Sequence, residues 1–124
     1  MQKENVVLTK GEDFAVRIIN LYKHLVNEKK EYVLSKQILR SGTSIGANVS
    51  EAICGISKKD FLAKMHIAFK ECNETLYWLR LLFRSDYINE KEFESIETDC
   101  KELIFILSSI TKSTSESLNS DLNS

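Results

Sequence analysis

Two histidines, three cysteines and one stripe of Arg, Ser, Asn and Glu are the residues of this 124-residue chain whose types and spacing could do chemistry. His24 and His66 fall on polar faces of different helical segments, with no Asp, Glu or Cys at ligand spacing beside them. They read as solvated surface rather than as a metal pair. The Glu-x-x-His pairing that builds di-iron centres in bundles is absent, and no glycine-rich phosphate loop follows a strand. Ser44 and Ser50 have no histidine base within sequence reach, so nucleophilic catalysis is not indicated. Cys54, Cys72 and Cys100 form no CxxC pair and leave an odd count, the usage of a reduced, intracellular protein. Each lies on or near the apolar stripe of a helical segment and reads as a buried free thiol. The expectation is a protein that is not an enzyme and takes no cofactor, no metal and no small-molecule substrate.

The stripe sits in the run Arg40-Ser41-Gly42-Thr43-Ser44-Ile45-Gly46-Ala47-Asn48-Val49-Ser50-Glu51. Stepped at 100° per residue, Arg40, Ser44, Asn48 and Glu51 share a polar face away from the Ile45/Val49 seam. Arg40 and Glu51 are too far apart for a local i,i+4 pair, so their partners are expected on another helix or another subunit. Gly42 and Gly46 each cost a helix about 1 kcal/mol relative to Ala. With Thr43, Ala47 and Ser50 they make a flat face on which a neighbouring helix can pack closely and recover that cost. The competing reading, a helix broken by a ligand-approaching glycine loop, conflicts with a seam that passes through in phase. Lys58 and Lys59, and at the opposite end Arg80 and Arg84, are the candidate nucleic-acid contacts. Acidic neighbours dilute both groups and no aromatic is interleaved as single-strand stacking requires, so ordinary solvated helix ends compete with that reading.

The elements that must position these residues are helical, because apolar residues recur at spacings of three and four and strand alternation is nowhere sustained. Phe14, Ile18, Leu21 and Leu25 mark a helix over about 10–28, with Thr9 as cap and Glu12 closing a capping box. Ile38, Ile45, Val49, Ala52 and Ile56 mark a second over about 36–54, capped by Ser35 and stapled by Leu34 and Leu39. The third, 58–84, follows a Ser57 cap with Asp60 in its first turn and an Ile56/Phe61 staple; its seam runs Phe61, Met65, Ala68, Cys72, Leu76, Leu79, Phe83. The fourth, 90–112, has Asn89 as cap, Glu92 completing the box and Ile88/Phe93 as staple. Its seam of Phe93, Ile96, Cys100, Leu103, Leu107 and Ile110 keeps the 3.5-residue repeat of bundles. Short connections make sequential neighbours antiparallel, so the fold expected is all-α, an up-and-down antiparallel four-helix bundle. Residues 1–112 form its single domain; the Ser/Thr/Asn-rich stretch 113–124 reads as a disordered tail.

Helix three carries more apolar surface than one core needs. Ile67, Trp78 and Leu81 cluster about 140° around the wheel from its seam, which points to an oligomer interface. The run Arg40 to Glu51 followed by Ala52, and then Phe61-Leu62, Ile67-Ala68, Glu71 and Glu74, resembles the signature of the 23S rRNA intervening-sequence protein family, over about residues 10–112. Ala52 stands where the family usually has Gly, and Gly42 where Ala or Ser is common. The resemblance implies a bundle that assembles into a homopentamer, with no agreed catalytic activity. A branch of the family is similar to the nucleic-acid-binding accessory proteins of diversity-generating retroelements.

Net charge is −1, with ten basic against seven acidic residues in 1–60 and three against seven in 91–124. That is no polycation, and an affinity for nucleic acid would have to come from a local patch. With no signal peptide and no apolar run of about 18 residues, a cytoplasmic protein without membrane contact is expected. Two functions follow: a homo-oligomeric scaffold, pentameric by resemblance, associated with RNA or a ribonucleoprotein; or a protein–protein adaptor that binds no nucleic acid.

Overall fold

The computed structural model describes residues 2–123, which form four helices: α1 (Gln2–Asn27), α2 (Leu34–Ile53), α3 (Lys58–Arg84) and α4 (Glu90–Asn123). Each sequential pair packs side by side, and α1 closes against α4, so the all-α up-and-down bundle is the observed architecture. The predicted seams meet at its centre: Phe14, Ile18, Ile45, Val49, Met65, Cys72, Leu79, Cys100, Leu103 and Leu107 are all buried. No helix among the described residues is long and apolar enough to cross a membrane.

Two helices outrun their predicted ends. α1 starts at Gln2, so Thr9 lies inside it and caps nothing. Val7 extends the apolar phase of Gly11, Phe14 and Ile18 one turn back and is fully buried, which is what holds that turn. α4 continues through 113–123, the stretch expected to be a disordered tail, while residue 124 lies outside the described residues. Neither Pro nor Gly interrupts it, and the Lys58 ammonium reaches across to Ser117 Oγ at 2.7 Å and Asp121 Oδ2 at 2.8 Å.

The caps divide in the same way. Ser57 accepts from the Asp60 amide, and Asn89 and Glu92 exchange both bonds of a capping box. Ile56, however, is 96% exposed and staples nothing. α2 begins two residues before its predicted start, and Ser35 is not its cap. The carboxylate of Glu31 accepts the backbone amides of Val33, Leu34 and Ser35 at 2.7 to 3.2 Å, and Ser35 returns its hydroxyl to the Glu31 carbonyl. A glutamate four residues ahead thus closes the helix start that the sequence attributes to a serine.

Candidate functional site

The polar stripe of α2 and the second apolar face of α3 lie on the same side of the bundle. The link is Arg40. Its guanidinium donates to Glu71 Oε2 at 3.0 Å and to Glu74 Oε2, both on α3. The indole N–H of Trp78 donates to the same Glu74 oxygen at 3.0 Å, so one carboxylate collects an arginine from one helix and a tryptophan from the next turn of its own. Glu71 keeps only 13% of its side chain exposed and Glu74 29%, against 50% for Arg40. The carboxylates are therefore sunk in the groove and the arginine covers them. Tyr77 sets its ring edge-on to Trp78 with centroids 5.1 Å apart.

Farther along the groove Lys64 pairs with Glu51 at 3.3 Å. Both ends of the stripe thus find partners on α3 of the same chain. Between them Ser44 and Asn48 turn inward along their own helix: the Ser44 hydroxyl donates to the Arg40 carbonyl at 2.6 Å and the Asn48 amide to the Ser44 carbonyl at 2.8 Å. Ile67 is 40% exposed, and Trp78 and Leu81 are half-buried. The resulting surface is a half-wet aromatic and aliphatic strip bordered by fixed charges.

What fixes the register of this groove lies beneath it. Thr75 of α3 donates to Ser41 of α2 at 2.9 Å, and both are fully buried. On the other flank of α2, the glycines face α1. A Cβ on Gly42 would stand 2.8 Å from both γ-carbons of Ile18, and one on Gly46 would stand 3.3 Å from the carbonyl carbon of Gly11. The small-residue face is thus spent on contact within the chain, and Gly11 is its unanticipated counterpart. Its place between Val7 and Phe14 in the apolar phase of α1 was the available signal.

The basic candidates are not brought together. Lys58 and Lys59 stand at the start of α3 and Arg84 at its end, about 40 Å away at 1.5 Å per residue. Lys58 is moreover engaged with α4. His24 lines an open cleft between α1 and α4 with Arg17, Leu21, Ile88 and Ile96; Arg17 there is bonded to Asp99 and Ser95. His66 is exposed on α3. Among the described residues no three His, Cys, Asp or Glu side chains converge as metal ligands. Cys72 and Cys100 are buried, but Cys54 is exposed just past the end of α2, contrary to its expected burial.

No curated protein matches the chain. Among solved structures, a crystal structure of a protein of unknown function from the S23 ribosomal protein family of Bacteroides thetaiotaomicron is 59% identical. The match covers 89% of this chain and 98% of that one, with a TM-score of 0.87. The family model described as 23S rRNA-intervening sequence protein matches residues 3–109. With the Arg40-to-Glu51 signature tied to Glu71 and Glu74 in a four-helix bundle, the chain belongs to the 23S rRNA-intervening sequence protein family.

Proposed function

We propose that this protein is a non-enzymatic homo-oligomeric scaffold, a pentamer in keeping with the family resemblance, and that its partner is an RNA or a ribonucleoprotein. The observation that carries the assembly reading is the α2–α3 face, where Ile67, Trp78 and Leu81 remain partly exposed beside the ordered Arg40–Glu71–Glu74 network. A closed ring joins two different surfaces of each subunit, so this face needs a counterpart. Val16 and Ile19, 58% and 36% exposed on α1, supply an apolar patch for it.

Light scattering tests the assembly. Trp78→Ala, Leu81→Asp and Val16→Asp should each give smaller species than the parent while circular dichroism stays helical. Unchanged mass in all three would remove this face from the interface. The RNA partner rests on the family's description and not on charge. The separation of Lys58 and Lys59 from Arg80 and Arg84 favours instead an adaptor that binds protein alone. A salt titration against structured RNA decides: affinity falling steeply with salt supports the RNA reading, and no binding, or binding indifferent to salt, supports the adaptor.

A further inference from the structure

The α3–α4 seam holds two nucleophiles for which a scaffold has no use. Cys72 and Cys100 are fully buried with their sulfurs 3.9 Å apart. Each Sγ also lies 3.5 Å from the backbone carbonyl of the other residue. The reciprocity means that the two residues stand level, each facing the opposing backbone, at a close approach of two antiparallel helices. The shared contact with Cys100 and burial both push the Cys72 thiol pKa up, so the closed seam keeps it protonated and slow to react.

We propose that Cys72 and Cys100 are an oxidisable pair that closes into a disulfide between α3 and α4 when a hydroperoxide reaches it. In the first step one cysteine sulfur attacks the terminal peroxide oxygen. The S–O bond forms, the O–O bond breaks, and the thiol proton leaves with the alcohol or water released; the cysteine becomes a sulfenic acid. In the second step the neighbouring sulfur attacks that sulfenic sulfur. The S–S bond forms, the S–O bond breaks, and the hydroxide takes the second thiol proton and departs as water. Two thiols and one hydroperoxide become one disulfide, one alcohol (or water, from hydrogen peroxide) and one water, the sulfurs supplying both electrons. The sulfurs need to close from 3.9 Å to about 2 Å, a movement that side-chain rotation and a slide of the seam supply in the proposed reaction. Burial makes the reaction depend on transient opening of α3 from α4. The product locks those helices together and leaves the α2–α3 face free.

The test uses the full chain carrying Cys54→Ser, which removes the exposed thiol and touches neither partner. The protein is treated with hydrogen peroxide over a time course that runs well past the oxidation of Cys54 in the parent, then freed of peroxide with catalase. It is unfolded in the presence of the alkylating agent, digested and weighed. Expected are one cross-linked peptide pair containing Cys72 and Cys100, joint loss of both thiols, full reversal by dithiothreitol, and a melting temperature raised by several degrees before reduction. Adding Cys100→Ser should abolish the cross-link and the thermal shift together. Two intact thiols after treatment, or Cys72 over-oxidised alone with Cys100 free, would overturn the proposal.

Discussion

Gly46 of α2 rests against Gly11 of α1 backbone to backbone: a Cβ on Gly46 would stand 3.3 Å from the Gly11 carbonyl carbon, and one on Gly11 would stand 3.2 Å from the Gly46 Cα. Neither neighbour is the yielding tip of a side chain. Gly46→Ala therefore pushes two helices apart, and the small intrinsic gain of Ala in a helix does not offset the strain. We expect a loss of about 1–3 kcal/mol for Gly46→Ala and more for Gly46→Leu, read by chemical denaturation. A stabilised Gly46→Ala would mean that the helices do not cross here.

Gly42 presents a different obstacle, the γ-carbons of Ile18 at 2.8 Å. A side chain can be trimmed where a backbone cannot. Gly42→Ala and Ile18→Ala should each destabilise, but the double variant should cost less than the two added together, by about 0.5–3 kcal/mol of coupling. Additive losses would show that the methyl group finds room without Ile18 moving.

The same two glycines show what was legible in the sequence. Periodicity exposed the seams, and with them the bundle, because a 3.6-residue repeat records which side of a helix faces the core. Gly42 and Gly46 stood out because glycine is costly inside a helix. Their direction toward α1 was not legible, since a sequence says which residues share a face and not which helix that face meets. Arg40 posed the same problem: its need for a remote partner could be read, but Glu71 and Glu74 only became its partners once α2 and α3 were set in register by Ser41 and Thr75. The ends failed for a local reason. Thr9 and Ser35 have the chemistry of caps, yet burial of Val7 carries α1 past the first and the Glu31 carboxylate takes the amides that the second would have capped.

Ser41 and Thr75 form a buried polar pair in an otherwise apolar layer. Thr75 also donates to the Glu71 carbonyl at 2.8 Å within its own helix, so losing Ser41 removes the bond between the helices without stranding the threonine. Ser41→Ala is expected to cost about 0.5–1.5 kcal/mol. Ser41→Ala with Thr75→Val should cost less than the two single losses added together. Additive losses would show that the two hydroxyls do not couple across the helices.

Asp86 adopts φ 66° at the turn after α3, and Lys30 adopts φ 55° after α1. The amides of Asp86 and Tyr87 bond back to Phe83 and Leu82, the pattern of a Schellman stop. A side chain in the left-handed region is strained, and glycine is not. Asp86→Gly and Lys30→Gly should each stabilise by about 0.5–1 kcal/mol, a small rise in melting temperature. No gain at Asp86 would imply that its carboxylate offsets the strain through a contact of its own.

Glu31 gives the molecule an acid-sensitive joint. Burial alone would push its carboxyl up, but the amides of Ser35, Leu34 and Val33 outweigh it and hold the group below its ordinary value of 4.5. A depressed carboxyl stabilises the fold fully above that ordinary value and loses its contribution as pH falls through the folded-state pKa. Glu31→Gln should therefore cost about 1 kcal/mol at pH 7, with the gap to the parent narrowing below pH 4.5. A gap constant from pH 7 to pH 3 would show that the charge plays no part in starting α2.

Arg40 can be tested through the groups it covers. Glu71 and Glu74 are mostly shielded, and the guanidinium of Arg40 is the cation bonded to both. Arg40→Leu leaves two neighbouring carboxylates of like charge without the cation that bonds to both. The variant should lose about 3–5 kcal/mol at pH 7 if the pair behaves as buried, less in proportion to its remaining exposure. Adding Glu71→Gln and Glu74→Gln removes both charges and should recover part of that loss. Trp78 reports on the same groove: freed from a fixed Glu74, its fluorescence should shift in Arg40→Leu and not in a distant control such as Lys112→Ala. If the two glutamine substitutions recover nothing in the Arg40→Leu background, solvent screens the two carboxylates and the stripe of α2 is held to α3 by packing alone.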